Sequence, residues 1–144
     1  MTQIRHLLES KGHEVWTIQP DDTVLHALEE MAAKDIGGLI VVDNGEYVGI
    51  FTERQYARNV FLKGRASPST PIRDVMRTDR LFLRPEQTIQ ECMFVMSEKN
   101  VRHLPVLDHG KICGVVTIGD VLRSLVTDRE FDIDQLVNYI SGGR

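Results

Sequence analysis

"FTERQYARNV" occupies Phe51–Val60 and "VTIGDVLRSL" occupies Val116–Leu125, and the two coincide when the chain is slid along itself by 65 residues. Thr52 then faces Thr117 and Arg58 faces Arg123, but Gln55 faces Asp120. Extended without a gap, the match runs over Trp16–Val60 and Leu81–Leu125. It includes Pro20/Pro85, Thr23/Thr88, Met31/Met96, Leu39/Leu104, Val41/Val106, Asp43/Asp108, Gly45/Gly110 and Gly49/Gly114. A gapless self-match of this length marks a tandem duplication.

Each copy reads as β-α-β-β-α. A short apolar stretch ("VWTI", "LFL") meets a Pro and polar residues that stop a strand. Thr23 or Thr88 then opens a helix as its N-cap. Val24, Ala27, Leu28 and Met31 form the inward face of the first helix, and Ile89, Cys92, Met93 and Met96 repeat that spacing. "GLIVV" and "HLPVL" read as buried strands, and the turns at Asp43-Asn44-Gly45 and Asp108-His109-Gly110 lead to the returning strands "YVGIF" and "ICGVV". Pro105 points to an edge or a strand start, because it cannot donate to a ladder. A second helix begins at Thr52 or Thr117.

A unit of about 45 residues leaves one apolar sheet face bare, so two copies are expected to pack face to face about a pseudo-twofold axis in an α+β fold. The expected divisions are an N-terminal helical arm (1–15), repeat 1 (16–60), a connector (61–80), repeat 2 (81–126) and a C-terminal helical arm (127–144). The arms carry Ile4, Leu7 and Leu8, and Ile133, Leu136, Val137 and Ile140, each set on one helix face. Their expected role is to cover the module or a dimer partner.

Net charge is −4 and the pI about 5.7, which argues against a broad nucleic-acid footprint. No apolar run approaches the roughly 20 residues that cross a bilayer, and the N-terminus lacks a signal-peptide pattern, so a cytoplasmic protein is expected. Cys92 and Cys113 sit in apolar patterns without zinc spacing and read as core residues. No histidine pair has metal-ligand spacing, and there is no nucleophile elbow, P-loop or dinucleotide glycine fingerprint, so neither a metal nor catalysis is expected.

Thr52-x-x-Gln55 and Thr117-x-x-Asp120 both have the spacing of a helix capping box. The same Asp could instead accept both hydroxyls of a vicinal diol, since an ionised carboxylate is a two-oxygen acceptor. Arg54 and Arg58 lie four apart and could meet a phosphate chain together, or be absorbed by Glu53 and solvent. Arg102 and His103 read either as an exposed strand entrance or as cleft residues. Lys63, Arg65, Arg73, Arg77 and Arg80 make the connector basic, which suits a solvated linker or anion contacts.

Taken together, "TIQPDDTVLHALEEM", "IGGLIVVDNGEYVGIFTER", "VMRTD" and "RHLPVLDHGKICGVVTIGDVL" resemble a tandem pair of CBS domains, the Bateman module. The match spans Trp16–Val126 and is most similar to short stand-alone CBS-pair proteins. The resemblance implies clefts between the copies for adenine nucleotides, with Thr117 and Asp120, and the intervening Ile118 and Gly119, flanking the ribose. It places Leu81, Phe82, Leu83, Arg102, His103, Leu104 and Pro105 of the second copy, and Trp16, Thr17, Ile18, Gly37, Gly38, Leu39 and Ile40 of the first, around base and phosphates. Thr52, Arg54, Gln55 and Arg58 would frame a weaker or altered site. It further implies a non-enzymatic sensor for AMP, ADP or ATP with no required cofactor, a homodimer, and a regulated enzyme in trans. NAD(P)(H), S-adenosylmethionine and a ligand-independent interaction module are the alternatives.

Overall fold

The structure is a computed structural model that describes residues 2–128; the expected C-terminal helix lies outside the described residues. The elements are α1 (Ile4–Lys11), β1 (Thr17–Ile18), α2 (Val24–Lys34), β2 (Gly38–Asp43), β3 (Glu46–Thr52), α3 (Glu53–Gln55), α4 (Ile89–Lys99), β4 (His103–Asp108), β5 (Lys111–Thr117) and α5 (Ile118–Asp128). Two units of mixed helix and strand result.

Local chemistry repeats at the same positions in both units. The Thr23 hydroxyl accepts the His26 N–H at 3.1 Å, and the Thr88 hydroxyl accepts the Glu91 N–H at 3.1 Å. Both helices end on a left-handed residue, Asp35 at φ 54° and Asn100 at φ 53°. The hairpins turn through Asn44-Gly45 and His109-Gly110, all four at positive φ, the conformation a two-residue hairpin loop requires. Each hairpin carries a bulge at the same step, Val41/Val42 and Val106/Leu107.

The symmetry fails at two places. In the first unit β1 runs parallel to β2, whose other edge pairs with β3, and Ile40 N–H donates to Trp16 O at 3.2 Å. Pro105 stands where Ile40 does and has no N–H to give. The expected leading strand of the second unit therefore shrinks to a single parallel bridge, Leu83 with Val106. The Leu81 carbonyl accepts the Tyr47 hydroxyl at 2.7 Å instead. The second asymmetry follows Thr52: α3 gives way after one turn to a π-wound segment, Tyr56–Phe61, whereas α5 stays α-helical over its described length.

Alternation along the strands separates two apolar faces. Leu39, Val41 and Phe51 join Val24, Ala27 and Met31 in one core, while Leu104, Val106 and Val116 join Ile89, Cys92 and Met96 in another. A segment from outside the gapless match closes each core. Ile4, Leu7 and Leu8 of α1 seal the second, and Ile72 and Val75 seal the first. Ile4 N–H donates to Gln87 O and Arg5 N–H to Pro85 O, and Ile72 and Arg73 make the same bonds to Asp22 and Pro20. The strand glycines are where these segments cross. A Cβ at Gly49 would lie 2.6 Å from Arg77 O, and one at Gly114 would lie 2.6 Å from Leu8 Cδ2.

Ile40 and Ile50 are buried yet belong to neither core, because they point to the opposite sheet face. Across the pseudo-twofold, the His103 ring lies over the Gly37-Gly38 backbone, where a Cβ on Gly38 would stand 3.3 Å from it. Tyr47 to Leu81 and Arg54 Nη1 to Asn100 O (2.8 Å) tie the units together.

Candidate functional site: two clefts at the joint between the repeats

Two clefts open where the units meet, of about 650 Å³ around Asp120 and about 490 Å³ around Gln55. Both volumes suit a small-molecule ligand. Every residue lining the Gln55 cleft has its counterpart 65 positions away lining the Asp120 cleft. Thr52 answers to Thr117, Arg58 to Arg123, Asn100 to Asp35, His103 to Gly38 and Arg77 to Gly12. Gly37, Glu53, Arg102 and His103 line both clefts and form the wall between them.

The strand-to-helix corners carry capping boxes in both copies. Thr117 N–H donates to Asp120 Oδ2 at 2.9 Å and Asp120 N–H donates to Thr117 Oγ1 at 3.2 Å. Thr52 donates to Gln55 Oε1 through its N–H at 3.2 Å and through its hydroxyl. The capping alternative is thus realised at both positions, and it leaves the side chains on the cleft walls.

Asp120 is buried and has two further partners. Lys11 Nζ donates to Oδ2 at 2.6 Å and Arg123 Nη2 donates to Oδ1 at 2.7 Å. Burial pushes its carboxyl pKa up, but the hydrogen bonds from Lys11, Thr117 and Arg123 and the Lys11 charge outweigh it, so the group sits below the usual carboxylate range. Lys11 also donates to Val115 O at 2.8 Å, which pins the end of α1 to β5. His103 moves the other way from a charged group: burial, then the Arg77 charge, hold its pKa below the ordinary imidazole value, and the nearby Asp120 only partly offsets them.

The electrostatics of the clefts differ. Lys11, Arg102 and Arg123 face Glu14, Asp35, Glu53 and Asp120 in the first, a near balance. Arg54, Arg58, Arg77 and Arg102 face only Glu53 in the second. Among the described residues, Glu53 pairs with none of these four.

Of the residues marked in the sequence, Thr117, Ile118, Gly119, Asp120, Gly38, Ile40, Arg102 and His103 gather around the Asp120 cleft. Thr52, Arg54, Gln55 and Arg58 gather around the other. Ile18, Leu83 and Leu104 do not line either cleft, since strand alternation turns them into the two cores. Thr17 and Pro105 are also off the walls; of the expected stretch Trp16–Ile18, Trp16 lines the Asp120 cleft and supplies an aromatic wall. Lys11 had no signal in the sequence, being 109 positions from its partner. Arg123 did have one, its match to Arg58.

A family profile described as the CBS domain matches residues 10–61 and 72–127. The chain is 35% identical to the mitochondrial CBS domain-containing protein CBSX3 of Arabidopsis thaliana, over 99% of this chain and 73% of that one. A solved structure of a protein with CBS domains from Burkholderia ambifaria MC40-6 superposes with a TM-score of 0.86 at 40% identity, covering 89% of this chain and 96% of its own. The CBS domain pair of protein MJ0100, solved with 5′-methylthioadenosine and S-adenosyl-L-methionine, shares the fold with a TM-score of 0.78 at 21% identity, covering 89% and 98%. Among the described residues, no helix is long and apolar enough to cross a membrane. Duplicated units, twinned clefts and these matches together make the chain a member of the CBS domain family, with two CBS repeats.

Proposed function

We propose that the protein is a non-catalytic regulatory module that binds an adenosyl ligand in the Asp120 cleft, with AMP the first candidate and ADP and ATP next. The observation that carries this reading is the buried, ionised Asp120 beside Thr117, facing Trp16, Ile40 and Ile50 across the cleft. A carboxylate held ionised in a partly apolar cleft is an acceptor for a ribose diol, and bonds to a charged group contribute about 1.5–3 kcal/mol. Ligand entry exchanges the Lys11 and Arg123 contacts for ribose hydroxyls and frees two cations for a phosphate. Arg123 moves at little cost, its side chain being 73% exposed.

Titration calorimetry with AMP, ADP and ATP tests this reading. Saturable binding that weakens at least about tenfold in Asp120→Ala supports it, one decade being about 1.4 kcal/mol. No heat and no thermal shift with any of the three rejects it.

A second reading is an S-adenosylmethionine-type ligand. The Asp120 cleft holds one more carboxylate than cations, which suits a sulfonium better than a phosphate, and the fold neighbour MJ0100 was solved with that ligand. Including it and NAD(H) in the titration ranks the candidates. We further infer a homodimer that acts on an enzyme in trans. Met93 and Phe94 on α4 and Leu122 and Val126 on the adjacent α5 leave large apolar side chains exposed, which supports a covered helix face. Light scattering that gives a monomer mass at micromolar concentration would reject the dimer.

A further inference from the structure

We propose that the Gln55 cleft is an anion site for a linear oligophosphate chain, either free or carried by a nucleotide, and not a second nucleoside site. Nothing in the adenosyl reading of the Asp120 cleft requires this.

Four guanidinium groups converge here from three parts of the chain: Arg54 and Arg58 after β3, Arg77 from the connector, and Arg102 at the entrance to β4. Among the described residues, Arg54, Arg58 and Arg102 have no ion-pair partner. Arg77 has one, Asp79 at 3.0 Å on Nε. Its Nη2 is buried and accepted by nothing, the one such side-chain atom among the described residues. A buried guanidinium N–H left without an acceptor is costly, so Arg77 stands in the wall of this cleft with hydrogen-bonding capacity to spare. Arg54 is already oriented, because Nη1 donates to Asn100 O at 2.8 Å across the joint.

The position that would grip ribose works against a nucleoside. Gln55 Oε1 already accepts from both the N–H and the hydroxyl of Thr52, which leaves its amide N–H₂ as donors to the cleft. A wall of donors with one unpaired carboxylate matches a chain of phosphates, for which guanidinium is the suited partner.

The test is calorimetry of the full chain with sodium tripolyphosphate, adenosine and ATP at constant ionic strength. Tripolyphosphate should bind, and Arg58→Ala and Arg102→Ala, both at exposed positions, should each weaken it at least about tenfold. Lys63→Ala, an exposed cation outside the cleft, should leave it as it is. If ATP binds far more tightly than adenosine or tripolyphosphate alone, one nucleotide spans both clefts through the shared wall. If tripolyphosphate and adenosine bind without competition and ATP gains nothing, the chain is a free one. Either result supports the anion site. No tripolyphosphate binding, or equal weakening by Lys63→Ala, overturns it. Adenosine failing while tripolyphosphate binds counts against the adenosyl reading alone.

Discussion

Lys11 Nζ lies 2.6 Å from Asp120 Oδ2, so the N-terminal helix holds the carboxylate of the Thr-x-x-Asp motif on the cleft wall. The contact links two things that sequence alone keeps apart, the docking of α1 and the chemistry of the cleft. Lys11→Met removes a competitor for Asp120. Adenosine affinity should rise roughly fivefold, equivalent to about 1 kcal/mol. The unfolding midpoint should fall by about 2–4 °C per kcal/mol of lost contact. Unchanged adenosine affinity in calorimetry would show that Lys11 does not compete with the ligand.

The strand glycines should differ in their tolerance to substitution. Gly49→Ala places a methyl 2.6 Å from the Arg77 carbonyl, a backbone atom that also pairs with Ile50, so the connector must move. Gly114→Ala meets the Leu8 side chain at the same distance, and a leucine can shift rotamer. Overpacking typically costs about 1–3 kcal/mol, and Gly49→Ala should sit at or above the top of that range and Gly114→Ala near the bottom. Urea unfolding of the two variants gives the order directly, and a reversed order would contradict the packing described.

Much of this architecture is legible in one sequence because the signals are local. Caps at Thr23 and Thr88, turns at Asn44-Gly45 and His109-Gly110, and the shared helical spacing each settle their own few residues. What stayed hidden is non-local. "TQIRHLL" at Thr2–Leu8 and "TPIRDVM" at Thr70–Met76 do the same job, but their offset is 68, not 65, so a gapless comparison passes over them. Their roles are also crossed, the N-terminal copy closing the second core. Family resemblance links Ile18, Leu83 and Leu104 to the ligand, whereas alternation within each strand sends them inward. The effect of Pro105 on the leading strand was half visible: its missing donor was evident, but its would-be partner Leu81 was not.

Acid should destabilise the protein in two stages. His103 has a folded pKa below its ordinary value of about 6.5, so the unfolded chain takes up the proton first. Stability from this group is complete above about pH 6.5 and falls as pH drops from there towards the folded pKa. Asp120, also depressed, contributes stability above the unfolded carboxylate value of about 3.9, and loses it as pH falls through its lower folded pKa. Urea midpoints at pH 7.5 and 5.5 should differ, and His103→Gln should flatten that difference. A His103 ring that titrates at or above 6.5 by NMR would show the burial argument to be mistaken.

The two thiols should react unequally. Cys92 is fully buried, and burial, aided by the Asp120 charge, pushes its pKa up to about 12. Cys113 is half-buried and its pKa is raised as well, again by burial first. A disulfide reagent at pH 8 should modify Cys113 in the native protein and reach Cys92 only through unfolding. Equal fast labelling of both would mean that the second core opens readily.

The exchange of Asp120 for Gln55 makes the clefts unequal in kind. At Asp120, an ionised carboxylate faces cations that can be redeployed, so a diol can enter as Lys11 and Arg123 leave. At Gln55, the amide oxygen is held by Thr52 and Glu53 is the one carboxylate lining the cleft, while the surrounding arginines add donors that a ribose cannot use. Adenosine should therefore bind the native chain at one site. Gln55→Asp changes that, because a carboxylate among four guanidinium groups will be fully ionised and restores the Thr-x-x-Asp pattern to both copies. Calorimetry should then find two adenosine sites per chain, the second within roughly tenfold of the first, about 1.4 kcal/mol. Tripolyphosphate should lose affinity in the same variant, since the new charge repels it. Two equal and independent adenosine sites in the unaltered chain would show that the amide and the carboxylate serve alike, and that capping is all this position does.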